Sequence, residues 1–372
     1  MDTTATSKAK VIKSAPEIRP QAWVIRGVLR MLAILFNTLL TRTTIEGREN
    51  IPDGPAIFTA NHASIYDAIL YYVILPFSTQ YVGPGDFRLA YPNRIASEWT
   101  DVILVKRGSS DKTSLRRMLE TLKGGRSLAL FPEGGTWEKD LYDVKDGAAY
   151  LSMATQTPIV PIAISGAYDL WSDIFALRRP HITVRILPPM PAIEKARGQE
   201  RKKILHDSSI DLMRRIYAGL TDEEINRYVT WMRERFNGSL QLQDGSAAYA
   251  DASNYSVLSR LVSKKNLFST FHQHLDLPVQ PLQQLKRYHT AQEFRTAVQS
   301  VHHALTQALP GYIEYRLGEA ANQQIIAELE EIDQRLKELE PLTKMRFVVE
   351  EYMVDASELE VTVDNPPVYT SA

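Results

Sequence analysis

From residue 45 to about residue 190, short apolar runs bounded by Gly, Pro, Asn or Asp alternate with stretches of helical periodicity. The runs PAIFTA (55–60), VILV (102–105), SLALF (127–131), IVPIAI (159–164) and ITVRIL (182–187) predict strands. Between them AILYYVIL (68–75), LRRMLETLK (115–123) and GAAYLSMAT (147–155) predict helices. Alternation of this kind predicts an α/β fold, a largely parallel sheet flanked by helices, with the prolines of PPMP (188–191) closing it. A charged helical stretch follows over 200–235.

Two further patterns flank this core. WVIRGVLRMLAILFNTLL (23–40) is the most apolar stretch of the chain and comes close to the ~20 residues that cross a bilayer. Arg26 and Arg30 lie inside it, on one face of a helix by their i,i+4 spacing. Each would cost about 2.5–3.5 kcal/mol at a bilayer centre. An amphipathic helix lying in the interface avoids that cost, with the arginines toward phosphates and Trp23, Leu32, Leu35 and Phe36 toward acyl chains. No small-residue cleavage site follows, so the run does not read as a cleaved signal peptide. At the other end, NGSLQLQDGSAAYADASN (237–254) is small and polar and reads as a linker. Beyond it the chain is mostly helical, with Ile325, Leu329, Ile332, Leu336 and Leu339 marking one apolar helix face, and EVTVDNPPVYTSA (360–372) reads as a frayed tail. The expected organisation is a basic membrane-contacting segment (1–44), an α/β domain (45–236) and a linker with a helical region of unassigned role (237–372).

Charge supports that division. Lys and Arg total 43 against 44 Asp and Glu in 372 residues, a net charge of −1, which argues against a whole-chain nucleic-acid binder. Yet residues 1–42 carry seven bases against two acids, and residues 319–364 carry thirteen acids against four bases. The acidic end is unsuited to anionic lipid and leaves a protein partner open for 237–372. There is no cysteine, which removes disulfides, Cys-ligated metals and a cysteine acyl-enzyme and fits a reducing compartment.

Candidate chemistry gathers where predicted strands end. Asn61-His62-Ala63-Ser64-Ile65-Tyr66-Asp67 stands between a strand and a helix. A carboxylate one helical turn from an imidazole can fix its tautomer, leaving the other ring nitrogen to take a proton from a hydroxyl. The same residues also fit a plain turn with Asp67 as a helix cap. Phe131-Pro132-Glu133-Gly134-Gly135-Thr136-Trp137 leaves another strand, and its paired glycines could turn backbone amides toward an anion. Val105-Lys106-Arg107-Gly108 ends a third, where Arg107 could clamp a phosphate. His272, His274, His302 and His303 have no companion carboxylate pattern and read as surface or packing residues. No G-x-S-x-G, P-loop lysine motif or H-E-x-x-H occurs, so a serine hydrolase, a P-loop NTPase and a zincin have no support.

His62-x4-Asp67, Arg107 at a strand end, Phe131-Pro132-Glu133-Gly134 and Val160-Pro161-Ile162 follow the order and approximate spacing of four motifs of the glycerolipid acyltransferases. The sequence resembles the lysophosphatidic acid acyltransferases in particular, over roughly residues 45–190, with smaller matches at Gly47–Pro52 and Lys145–Ala149. The resemblance implies an enzyme at the cytoplasmic face of a membrane that moves an acyl group from acyl-CoA or acyl carrier protein to a glycerol hydroxyl, without cofactor or metal. It implies His62 as general base, Asp67 as its orienting partner, and Arg107, Glu133, Gly134, Gly135 and Thr136 as holders of a lysophospholipid acceptor. The family typically continues its third motif as Glu-Gly-Thr-Arg, whereas here Trp137 follows Thr136 and the arginine is missing, with Lys106, Lys139 and Lys145 near enough in sequence to substitute. That departure opens the acceptor to a different lysolipid or an uncharged alcohol. A non-catalytic lipid-binding module and an esterase using water are the competing classes.

Overall fold

In a computed structural model, residues 18–85, 99–107, 111–135, 141–244, 255–263 and 280–367 are described. The N-terminal helix α1 (Pro20–Leu40) leads into a seven-stranded sheet. Its strands are β1 (Arg42–Glu46), β2 (Ile57–Ala60), β3 (Gln80–Pro84), β4 (Ile103–Val105), β5 (Leu128–Leu130), β6 (Ile159–Ser165) and β7 (His181–Ile186). They are ordered β1-β7-β6-β2-β5-β3-β4, and every neighbouring pair is parallel except β6 with β7. Helices α2 (Tyr66–Ile74), α3 (Lys112–Lys123), α4 (Gly147–Thr155), α5 (Leu170–Phe175), α6 (Gly198–Ala218) and α7 (Asp222–Arg233) cover it. Strands β2, β5 and β6 are buried along their whole length, which is why they appear in the sequence as unbroken apolar runs. Two apolar clusters fill the two faces of the sheet, one around Met118, Leu151, Met213 and Tyr217, the other around Phe58, Leu70, Ile164 and Val184. Gly47 sits at φ +79° against the Ile186 carbonyl, where a side chain would overlap it, and Asn50 Nδ2 donates to that same carbonyl at 2.7 Å.

The C-terminal region has a core of its own. Strands β8 (Glu234–Leu242), β9 (His289–Thr290) and β10 (Lys344–Met353) form an antiparallel sheet in the order β8-β10-β9. Helices α8 (Ser256–Ser263), α9 (Ala291–His303), α10 (Tyr312–Leu317) and α11 (Glu319–Lys337) pack with it. The face of α11 carries Ile325, Leu329, Ile332 and Leu336, all buried, with Leu339 partly so. Thr290 and Glu293 form a reciprocal capping box at the start of α9.

Three expectations are corrected. Residues 237–242 are not linker, because Asn237–Leu242 pair with Met345–Glu350 and alternate their burial as a half-buried strand does. The predicted tail is not frayed over its described part, residues 360–367, because Val361 and Val363 pack on the α/β core with Leu359 ahead of them and the Tyr142 hydroxyl donates to the Val363 carbonyl at 2.6 Å, while 368–372 lie outside the described residues. The third concerns α1, whose arginines turn inward. Arg26 is 1% exposed and donates to the carbonyls of Thr100 (2.8 Å) and Thr79 (3.1 Å) and to Gln80 Oε1 (3.3 Å), while Arg30 donates to the Leu75 carbonyl at 3.1 Å. These guanidinium groups serve as ties to the α/β domain rather than as phosphate ligands. Trp23, Val24, Val28, Met31, Leu32, Ile34, Leu35 and Leu39 face outward instead, whereas Phe36 turns in against Tyr66 and Trp171.

Candidate active site

The loops that follow β2, β4, β5 and β6 all leave the carboxyl ends of parallel strands, where open α/β sheets gather ligands. Asn61 pins the first of them. Its Nδ2 donates to the Ile164 carbonyl and its Oδ1 accepts from the Ile164 amide, both at 2.8 Å, so the turn after β2 is clamped to the end of β6. Next along the chain, His62 Nδ1 lies 3.0 Å from Asp67 Oδ2. That oxygen also accepts from the amides of Ala63 (2.9 Å) and Ser64 (2.8 Å), in the first turn of α2. The carboxylate is therefore at once a helix-start acceptor and an imidazole partner, and the helix dipole favours its charge. The Asp67 side chain is fully buried and that of His62 is 14% exposed. An acceptor-only carboxylate on Nδ1 places the ring proton there and leaves Nε2 with its lone pair, as a base.

Aromatic packing fixes the plane of that ring. His62 stacks on Phe131 at 3.7 Å between centroids and 7° between planes, and Phe131 stacks on Tyr71 at 4.6 Å and 9°. The Tyr71 hydroxyl donates to the Leu130 carbonyl at 3.1 Å, and its burial holds its pKa well above the usual tyrosine value. Phe131, backed by Tyr71, and the Asp67 carboxylate thus restrict the imidazole to one orientation.

The second loop meets the first through Glu133, which is buried and accepts from the His62 amide at 3.1 Å through Oε1. Gly134 follows at φ +79°, and its amide donates to the Phe131 carbonyl at 3.2 Å, closing the turn. The expectation that this amide points at an anion is corrected, because the turn itself consumes it. The Gly134 carbonyl accepts from Arg107 Nη1 at 2.7 Å, so the end of β4 is tied to this loop. Gly135 is buried beside it, while Thr136 and Trp137 lie outside the described residues. The Lys145 amide donates to the Pro132 carbonyl at 2.9 Å, which brings a second cation to the same edge. His62, Asp67, Arg107, Glu133, Gly134 and Gly135 are therefore one constellation. His302 is apart from it, 3.2 Å from Glu330 in the C-terminal region, and His272 and His274 lie outside the described residues.

Four contributors escaped the sequence reading. Asn61 was seen as part of a motif but not as the clamp, and Phe131 was not seen as the surface beneath the imidazole. Glu224 Oε2 accepts from the Gly166 amide at 3.0 Å just beyond β6, and nothing in its sequence context marks it. Tyr315, from α10, places its ring over both Arg107 and Lys145, at 5.6 and 5.2 Å from the ring centroid.

Residues 42–165 match the Acyltransferase family. The chain is 33% identical over 131 residues to a chloroplastic 1-acyl-sn-glycerol-3-phosphate acyltransferase of Brassica napus, covering 34% of this chain and 38% of that protein. It is 34% identical over 131 residues to a chloroplastic enzyme of the same name from Arabidopsis thaliana, covering 34% of this chain and 36% of that protein. A 1-acyl-sn-glycerol-3-phosphate acyltransferase of Saccharomyces cerevisiae is 27% identical over 188 residues, covering 46% of this chain and 60% of that one. The chain thus spans well under half the length of the first two relatives. A crystal structure of the 1-acyl-sn-glycerophosphate acyltransferase of Thermotoga maritima superposes with a TM-score of 0.41 at 20% identity, covering 54% of this chain and 83% of that one.

Proposed function

From the match of residues 42–165 to the Acyltransferase family we propose that this chain acylates the free hydroxyl of a lysophospholipid, lysophosphatidic acid before others, using an acyl thioester of coenzyme A or acyl carrier protein. The observation that carries the reading is the His62 Nδ1 to Asp67 Oδ2 contact at 3.0 Å, with Nε2 left as the base. In the step this implies, Nε2 takes the proton of the acceptor hydroxyl while its oxygen attacks the thioester carbonyl. The tetrahedral adduct then expels the thiolate, which recovers that proton from the imidazolium, and Asp67 steadies the imidazolium in between. A thioester is already activated, so a positioned base worth about 10²–10⁴-fold and correct alignment suffice. Arg107 and Lys145, beside the Gly134 turn, supply positive charge for the acceptor phosphate.

The outward apolar face of α1 supports work at a membrane surface, with the helix lying on the bilayer rather than through it. Arg26 and Arg30 hold its inner face on the α/β domain, and a crossing helix would have to abandon those bonds. Phe175 and Leu177, 73% and 95% exposed, continue the apolar surface near the end of α1, where Arg179 donates to the carbonyls of Thr38 and Thr41 at 2.8 Å. The water-soluble donor of this reading supports an active face on the cytoplasmic side.

The test is incubation with labelled acyl-CoA, or acyl carrier protein loaded with the same chain, and a panel of lysolipids on vesicles, with the product identified by mass. A diacyl phosphatidic acid is expected, and His62→Ala is expected to abolish its formation while keeping the wild-type melting temperature. Near-wild-type turnover by His62→Ala would overturn the mechanism, and fatty acid released without acceptor would favour an esterase.

A further inference from the structure

We propose that Tyr315, a residue of the C-terminal helical region, is a specificity-determining residue of the acceptor subsite that limits the acceptor to a phosphate monoester. The inference rests on the acyl-transfer reading of the same site. Tyr315 lies in α10, outside the residues 42–165 that match the family, and yet its ring faces both cations of the site. Arg107 lies 5.6 Å and Lys145 5.2 Å from the ring centroid. The hydroxyl reaches the Gly134 turn so closely that a side chain at that glycine would overlap it. The ring thus lies against both Arg107 and Lys145, the latter also 3.3 Å from Asp143 Oδ1.

The ring is held from behind. Ile313, two residues earlier, is fully buried in the C-terminal core, and the Tyr315 amide donates to the Gly311 carbonyl at 2.9 Å in the first turn of α10. Gly311 takes φ +75° just ahead of that helix, a conformation that favours glycine. The ring is therefore carried by an element with its own core.

The chemistry follows from what lies on each side. A phosphate monoester ends in oxygens and can bond to the two cations at the edge of the ring. A phosphodiester carries a further headgroup on one of those oxygens, and that group has to go where the ring stands. The phenolic hydroxyl, set against the Gly134 turn, could exchange its present contact for a terminal oxygen, and the sequence lacks the family's third-motif arginine. Size exclusion and one hydrogen bond would then act together, and the two separate in mutants.

The experiment compares wild type, Tyr315→Phe and Tyr315→Ala in the full-length chain, measuring kcat/KM for lysophosphatidic acid and for lysophosphatidylcholine with one acyl donor. Tyr315→Ala is expected to narrow the preference for the monoester by tenfold or more, by gaining on the diester. Tyr315→Phe should keep the exclusion and raise KM for the monoester with kcat little changed. A merely structural role would lower both acceptors together and leave their ratio where it was, which would overturn the inference. Wild type that acylates neither substrate would instead overturn the acyl-transfer reading itself.

Discussion

The Tyr66 hydroxyl donates a hydrogen bond to the side-chain oxygen of Asn37, joining α1 to the residue immediately before Asp67. The same Asn37 oxygen accepts from Thr43 Oγ1 at 2.7 Å, so helix, first strand and site helix share one acceptor. Burial raises the Tyr66 pKa, which keeps the phenol a donor throughout the physiological range. Removing the donor leaves the Asn37 oxygen with two threonine hydroxyls, Thr43 Oγ1 and, at 3.2 Å, Thr41 Oγ1. Tyr66→Phe is expected to lower stability by about 1 kcal/mol in chemical denaturation, since one part-buried bond is lost and its acceptor keeps another partner. An unshifted denaturation midpoint would show that this link has no net value.

Asp67 has two tasks, and one substitution separates them. Asp67→Asn can still accept the amides of Ala63 and Ser64 through its oxygen, so the start of α2 should survive. What it cannot do is balance an imidazolium, and its amide can present N–H to Nδ1 and favour the wrong tautomer. Under the proposed mechanism kcat is expected to fall by about 10²-fold or more with KM for the lysolipid little changed. Steady-state kinetics beside a thermal melt would check it; a parallel loss of melting temperature would mean the carboxylate is chiefly structural.

The fold was legible where burial is uniform and obscure where it is not. The runs at β2, β5 and β6 are continuously buried and stand out in the sequence. The edge strand β1 alternates exposed and half-buried positions in RTTIE, and β3 ends in Gly-Pro, so neither resembles a buried strand. β8 was read as linker because Asn237, Gly238 and Ser239 are turn-forming types, although Gly238 is required there: a side chain would collide with Phe347 and Ser259.

The site was legible to the same degree, and for a physical reason. His62, Arg107, Glu133 and Gly134 follow strand ends and Asp67 opens the helix after His62, so chain order already encodes their convergence on one sheet edge. Tyr315 reaches that edge only through the packing of a separate core, which local periodicity does not carry. The inward turn of Arg26 was hidden likewise. An i,i+4 pair shows that two arginines share a face, but the carbonyls of Thr79 and Thr100 that claim one of them come from far along the chain.

Glu224 gives the site a pH dependence of stability. It is buried beyond β6, and desolvation raises its pKa despite Arg227 nearby and the Gly166 amide on Oε2. A carboxyl whose folded pKa lies above its unfolded value contributes stability that is complete below the unfolded value, ~4.3, and is lost as pH rises through the folded one. Glu224→Gln stays neutral and can keep the acceptor for Gly166. Its stability relative to wild type should therefore grow as pH rises from about 4 toward neutrality. Denaturation at several pH values would reveal this, and a difference that does not change with pH would contradict it.

The two faces of α1 predict opposite phenotypes. The inner face is structural: Arg26 satisfies two backbone carbonyls and Gln80 in a nearly sealed pocket. Arg26→Met would take that donor from the Thr79 and Thr100 carbonyls, while Gln80 Oε1 keeps Arg126 at 2.7 Å, and should cost about 2–4 kcal/mol of stability. Had the arginine bound lipid phosphate, the same change would spare the fold and weaken binding to anionic vesicles. The outer face is apolar and solvated in the isolated protein, so Met31→Glu with Leu35→Glu should leave the melting temperature nearly unchanged. The pair should nonetheless release the protein from sedimenting vesicles, because two carboxylates would enter the headgroup boundary in place of two apolar side chains. Phe175→Glu with Leu177→Glu should act in the same direction if the surface beside the end of α1 also touches lipid. Arg26 and Arg30 are engaged internally, but Lys8, Lys10 and Lys13 ahead of the helix can still meet anionic headgroups. Salt near 0.5 M, where screening is nearly complete beyond a few ångströms, should therefore remove that share of binding and leave the apolar share. Outright deletion of residues 1–42 is the poorer test, since it would uncover the surface of α2 that packs on α1 and take away the buried Ala22 and Ala33, confusing loss of folding with loss of anchoring. Vesicle sedimentation and a thermal melt on the same three variants would separate the faces, and a glutamate pair that still pelleted would put the membrane contact elsewhere.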